Sequence, residues 1–146
     1  MKKIKNEMKL QFQSRSTNEA FARSAAAAFC APMDPTLEEL GDIKTAVSEA
    51  VTNCIVHAYP DCIGTVALRA RIYDGSLLEL TISDKGAGIE NVEKALKPMF
   101  TTGGAERAGM GFTIMESFMD KLKVRSKPGK GTTVVMSLRI VPRPGR

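Results

Sequence analysis

A carboxylate, an amide and an imidazole recur every four residues in EAVTNCIVHAYPD, as Glu49, Asn53 and His57. At about 100° per residue, Ala46, Val47, Ala50 and Cys54 fall close to Ile43 and define an apolar stripe. The three polar groups lie together along one edge of that stripe, where the wall of a cleft would stand. A solvated helix flank has the same pattern, and His57 alone is equally a structural histidine near a helix end. A second cluster is DKGAGI, Asp84 to Ile89, directly after a strand. A carboxylate at a strand end can accept a hydrogen bond from an exocyclic amine such as that of adenine, and Gly86 and Gly88 let the backbone approach a ligand closely. The same three residues also suit a tight turn. A third is GMGF, Gly109 to Phe112, whose glycines at a helix N-terminus would present free N–H groups and the positive dipole end to phosphate. The last is GKGTT, a turn before a strand, where a threonine would share hydrogen bonds with Asp84 if the two strands are neighbours.

The elements that must hold these residues follow from pattern. NEMKLQF alternates Met8, Leu10 and Phe12 and predicts a half-buried strand. Ser16 with Glu19 predicts a capping box for a first helix ending at Pro32. Asp34 and Pro35 predict a second helix start, with proline at the first helical position, running on to stop near Pro60. TVALRARIY, the Asp74–Gly75 pair and LLELTIS predict a hairpin. The Gly-rich stretch 84–111 holds one short helix, NVEKALK, and is long enough without structure to be functional or mobile. FTIMESFMDKL predicts a further helix, and LKVRSKPGKGTTVVMSLRI two strands around a Pro-Gly turn.

Composition narrows the function classes. The chain has 146 residues, 43% apolar and 25% charged, the make-up of one globular domain. The net charge of +5 sits at the ends: Lys2, Lys3, Lys5, Lys9 and Glu7 at the start, and Arg139, Arg143 and Arg146 at the finish. The central body is near neutral, with no basic recognition helix, which argues against direct nucleic-acid binding. No apolar run is long enough for a membrane helix, and cytoplasmic location is expected. Cys30, Cys54 and Cys62 share no metal-like spacing and read as free thiols. The Walker phosphate motif is absent.

Taken in chain order, Glu-x-x-x-Asn on a helix, Asp-x-Gly-x-Gly after a hairpin, Gly-x-Gly closing a Gly-rich segment and Gly-Thr before a strand resemble the GHKL superfamily of ATP-binding domains, which includes gyrase, histidine kinases and MutL. The resemblance covers nearly the whole chain. SEAVTNCIVHAYPD and GMGFTIMESFMDKL are most similar to the bacterial anti-sigma-factor serine kinases. NEMKLQF, NEAFARSAAAAF and FTIMESFMD look like the sporulation branch of that family.

The resemblance implies an α+β fold over residues 1–146, a Bergerat-type two-layer sandwich with a mixed, largely antiparallel sheet covered by helices on one face. It implies ATP/ADP and Mg²⁺ as cofactors, with Asn53 the metal ligand and Glu49 the general base. Asp84 would hold adenine, Gly86 and Gly88 would give it room, and Thr132 would assist. Gly109, Met110 and Gly111 would wrap the phosphates under a lid from about Phe100 to Ala108. Arg107 in that lid would reach the γ-phosphate, with Thr101 and Thr102 as further nucleotide contacts. The implied partners are an RNA polymerase sigma factor of the sigma-F type, an anti-anti-sigma factor phosphorylated on serine, and a second copy in a homodimer. Arg23, among the alanines of the first helix, is the residue suggested for partner contact; a solubilising charge would look the same. The alternatives are a stress-response relative, or a sigma-sequestering module that keeps nucleotide without transferring phosphate. A two-component histidine kinase is disfavoured, because His57 is the only histidine and lies inside the nucleotide motif.

Overall fold

The computed structural model describes residues 3–74, 76–96 and 103–141, the last with backbone alone for 103–108. Five strands and four helices alternate along it: β1 (Ile4–Gln13), α1 (Thr17–Cys30), α2 (Leu37–Asn53), β2 (Thr65–Tyr73), β3 (Leu77–Asp84), α3 (Val92–Ala95, a single turn), α4 (Gly103–Phe118), β4 (Lys121–Lys127) and β5 (Gly131–Arg139). The strands form one sheet in the order β1-β2-β3-β5-β4. All four pairings are antiparallel, so the parallel component of the expected mixed sheet is absent among the described strands.

Strand alternation puts one row of side chains on the buried face. Val66, Leu68 and Ala70 of β2, Leu78, Leu80 and Ile82 of β3, and Val134, Met136 and Leu138 of β5 are all buried and share one face of the sheet in register. The helices cover that face, α1 packing on α2 and α2 on α4. Met8, Leu10 and Phe12 of β1 pack against the same core, as their alternation predicts. The opposite face carries Arg69, Arg71 and Glu79, with Arg71 paired to Glu7 across the β1–β2 ladder.

Three local expectations are corrected. Ser16 caps α1 without a side-chain hydrogen bond. Glu19 instead pairs with Arg23 at 2.9 Å and accepts from the Ser48 hydroxyl, which ties α1 to α2. The capping box forms one helix later. Thr36 Oγ1 accepts from Glu39 N–H at 2.9 Å and Glu39 Oε1 accepts from Thr36 N–H at 2.8 Å, so α2 starts after Pro35 rather than at it. The third concerns α4, which begins at Gly103, nine residues before Phe112. Gly109 and Gly111 are therefore inside a helix rather than at its N-terminus.

Candidate functional site

Helix α2 carries Glu49 and Asn53 on its half-buried margin, and both meet α4 at Gly111. A Cβ added at Gly111 would stand 3.2 Å from Glu49 Oε2 and from Asn53 Nδ2, and 3.4 Å from Asn53 Oδ1. The bare glycine is what lets the two helices close over the carboxylate and amide. Asn53 Nδ2 is buried there with no hydrogen-bond partner. An unsatisfied buried amide nitrogen costs about 1–3 kcal/mol, so a donor left in this position calls for an acceptor from outside the protein fold, water or ligand.

Asp84 follows from strand periodicity. It is the next inward position after Leu78, Leu80 and Ile82, opposite Val66, and is 9% exposed. A carboxylate so placed needs donors. Its Oδ1 accepts from the backbone N–H of Gly86 at 2.9 Å and of Thr132 at 3.2 Å, so β3 and β5 do share this carboxylate. The Thr132 hydroxyl is 2.7 Å from that of Ser126. The Cys54 thiol also lies against Asp84. Burial first, then the charge and hydrogen bond of Asp84, push that thiol well above its usual value, so it stays protonated toward the carboxylate.

Past Asn53 the helix widens into a π-type turn over Cys54–Ala58, closed by Tyr59 N–H donating to Cys54 O at 3.1 Å. Such single turns often mark functional sites. Here the turn delivers Ala58 O to the loop after Asp84, where it accepts from Ala87 N–H at 2.9 Å. Gly88 takes φ 76°, and an added Cβ there would fall 2.0 Å from Lys127 O. That glycine thus serves the close approach of two loops of the protein itself.

Asn53, Cys54, His57, Asp84, Phe112 and Thr132 share one pocket with Ala50, Ile82, Gly88 and neighbours. Its volume is about 40 Å³, far below the roughly 300–1,000 Å³ of ligand pockets. Glu49 faces a separate surface basin of about 430 Å³ that Arg23, Lys44 and Ser48 also line. The structure thus brings together Glu49, Asn53, Asp84, Gly86, Gly88, Gly111 and Thr132. Gly109 is buried in α4, and Met110 is 57% exposed on it. Thr101, Thr102 and the Arg107 side chain lie outside the described residues. Sequence reasoning missed Cys54 and Phe112. The first is one residue past Asn53 on the apolar stripe; the second is the large residue after Gly111, 2% exposed in the pocket wall.

No cluster of three or more His, Cys, Asp or Glu among the described residues is placed to hold a metal by itself. One amide beside one carboxylate still suits Mg²⁺, which prefers oxygen ligands and retains waters and phosphate oxygens around it. Among the described residues no helix is long and apolar enough to cross a membrane.

The family model for the histidine kinase-like ATPase domain matches residues 12–138. A protein named anti-sigma F factor from Caldanaerobacter subterraneus subsp. tengcongensis is 59% identical over 133 residues, covering 90% of this chain and 92% of that one. A protein of the same name from Clostridium acetobutylicum is 52% identical over 134 residues, covering 91% and 93%. Among solved structures, the RsbU and RsbW domains of a Mycobacterium tuberculosis protein superpose with a TM-score of 0.70 at 17% identity, over 97% of this chain and 34% of that one. The mycobacterial sensor histidine kinase MprB gives 0.55 at 23% identity, over 71% and 74%.

Proposed function

The chain belongs to the histidine kinase-like ATPase domain family, alongside the anti-sigma F factors, and from that premise we propose that it is an anti-sigma factor and ATP-dependent protein serine kinase. It would bind a sigma-F-type subunit of RNA polymerase and phosphorylate a serine of an anti-anti-sigma factor. The observation that carries the reading is the buried, unpartnered amide nitrogen of Asn53, a donor held beside Glu49 in a residue lining the same pocket as Asp84.

The division of labour follows from chemistry. Asp84, with one oxygen already engaged by Gly86 and Thr132, would accept from the adenine amine through the other. Asn53 would hold Mg²⁺, which supplies charge neutralisation across the triphosphate. Gly109 to Gly111 would border the phosphates, with Arg107, Thr101 and Thr102 contributing from the lid. Glu49 would take the proton of the attacking serine hydroxyl. Its exposure to the outer basin supports this, because an acceptor can approach from that side while nucleotide occupies the inner pocket. Arg23 lines the same basin and is the residue proposed for contact with a partner protein. Phosphoryl transfer depends chiefly on positioning and charge, so these groups suffice. A homodimer and a cytoplasmic location complete the proposal.

The test incubates the protein with labelled ATP and a candidate anti-anti-sigma factor and looks for phosphoserine. Transfer supports the kinase. Tight ATP binding and sigma capture without transfer would replace it with a sequestering module that keeps nucleotide as a structural ligand.

A further inference from the structure

Tyr59 lines neither the pocket nor the basin, yet its hydroxyl is inserted beside the residue on which base recognition depends. The Lys85 N–H, immediately after Asp84, donates to Tyr59 Oη at 2.7 Å. The Tyr59 hydroxyl in turn donates to Thr65 O at 2.8 Å, at the start of β2. The phenol is 9% exposed, and burial raises it above its usual value, so it keeps the proton that this relay requires. A Cβ added at Gly64 would fall 2.2 Å from Tyr59 Cε1, so the chain passes over the ring face only as glycine. The backbone of the same turn supplies Ala58 O to Ala87 N–H, gripping the far side of the loop.

We propose that Tyr59 is a positioning residue for nucleotide-base selection: its hydroxyl fixes the backbone at Lys85 and thereby aims the Asp84 carboxylate at the base. The inference rests on the reading of Asp84 as the adenine acceptor. The π-type turn acquires a purpose, since only by widening the helix end does the chain present the Ala58 carbonyl and the Tyr59 hydroxyl to one loop. A regular helix would rotate Tyr59 by about 100° per inserted residue and lose one of the two contacts.

The test is Tyr59→Phe, which keeps the ring and removes only the relay. Calorimetric titration with Mg-ATP and with Mg-inosine triphosphate, which lacks the exocyclic amine, reads the preference for adenine. The expected result is a fall in the ATP-to-inosine-triphosphate affinity ratio of about fivefold to tenfold, the worth of one hydrogen bond. A merely structural tyrosine would weaken both nucleotides equally and leave the ratio unchanged, which overturns the inference. Failure of the wild-type protein to distinguish the two nucleotides would sink the Asp84 assignment instead. Should Tyr59→Phe not fold, hydrogen exchange in the wild-type protein decides. The Lys85 amide must resist exchange without nucleotide, and rapid exchange there overturns the relay on its own.

Discussion

Gly111→Ala separates what α4 needs for stability from what the site needs for chemistry. The added methyl carbon stands 3.2 Å from Glu49 Oε2 and Asn53 Nδ2, closer than a carbon comfortably sits to either, so both side chains must retreat by a few tenths of an ångström. The contact is with side-chain ends rather than backbone, so the fold absorbs it. Against that cost, alanine in a helix interior is favoured over glycine by about 1 kcal/mol. The two effects nearly cancel, and Tm is expected to move by no more than about 2–4 °C. Function is another matter. The proposed base and metal ligand are displaced together, and the edge of α4 proposed to border the phosphates gains bulk. Misplacement of reacting groups by about 1 Å costs on the order of 10²-fold. A displacement of some tenths then gives a loss of about tenfold or more in phosphoryl transfer. The assay pairs differential scanning calorimetry with labelled-phosphate transfer to an anti-anti-sigma factor. Transfer at the wild-type rate with Tm unchanged would refute the reasoning, because the close approach of α4 would then have no bearing on chemistry.

Other outcomes follow from the same geometry. Asp84→Asn keeps an oxygen for the Gly86 and Thr132 amides but turns the other acceptor into a donor; the protein should fold, by circular dichroism, and lose detectable ATP binding in calorimetry. Glu49→Gln should bind Mg-ATP normally and transfer phosphate about 10²–10⁴-fold more slowly, as measured in single-turnover assays. Of the three thiols, exposed Cys62 should react promptly with iodoacetamide, while buried Cys30 and Cys54 resist until the protein unfolds, as mass spectrometry of modified peptides would show. Burial raises Cys30 and Cys54, so the folded state retains protons that the unfolded chain releases. Their contribution is fully present below the ordinary thiol value of 9.0 and is lost as pH rises through the raised folded values, so alkaline unfolding of Cys54→Ala should show a weaker dependence on pH.

Much of the candidate site's placement was legible because its residues are set by local period. The helical step placed Glu49 and Asn53 on one margin of α2, and the strand step carried Asp84 inward after Leu78, Leu80 and Ile82. The hairpins, the single turn at Val92–Ala95 and the half-buried β1 were visible for the same reason. Where two local signals competed, pattern was not enough. Ser16 and Glu19 had the spacing of a capping box, but Glu19 found Arg23 and Ser48 across the α1–α2 contact. Thr36 and Glu39, spaced alike, had no such rival.

The sequence by itself determined the inventory and its order: which residues could bind a nucleotide, and on which elements they ride. Only the tertiary structure decided how they meet. It extended α4 back to Gly103 and set Gly111, which looks like a helix breaker in isolation, inside that helix and close against Glu49 and Asn53. It left the Asn53 amide nitrogen unpaired in a residue lining a pocket of about 40 Å³. It also set the Tyr59 hydroxyl against the Lys85 amide, 26 positions away along the chain and next to Asp84. A period along one segment specifies which face a side chain occupies; the identity of what faces it comes from another segment, and only packing brings the two together.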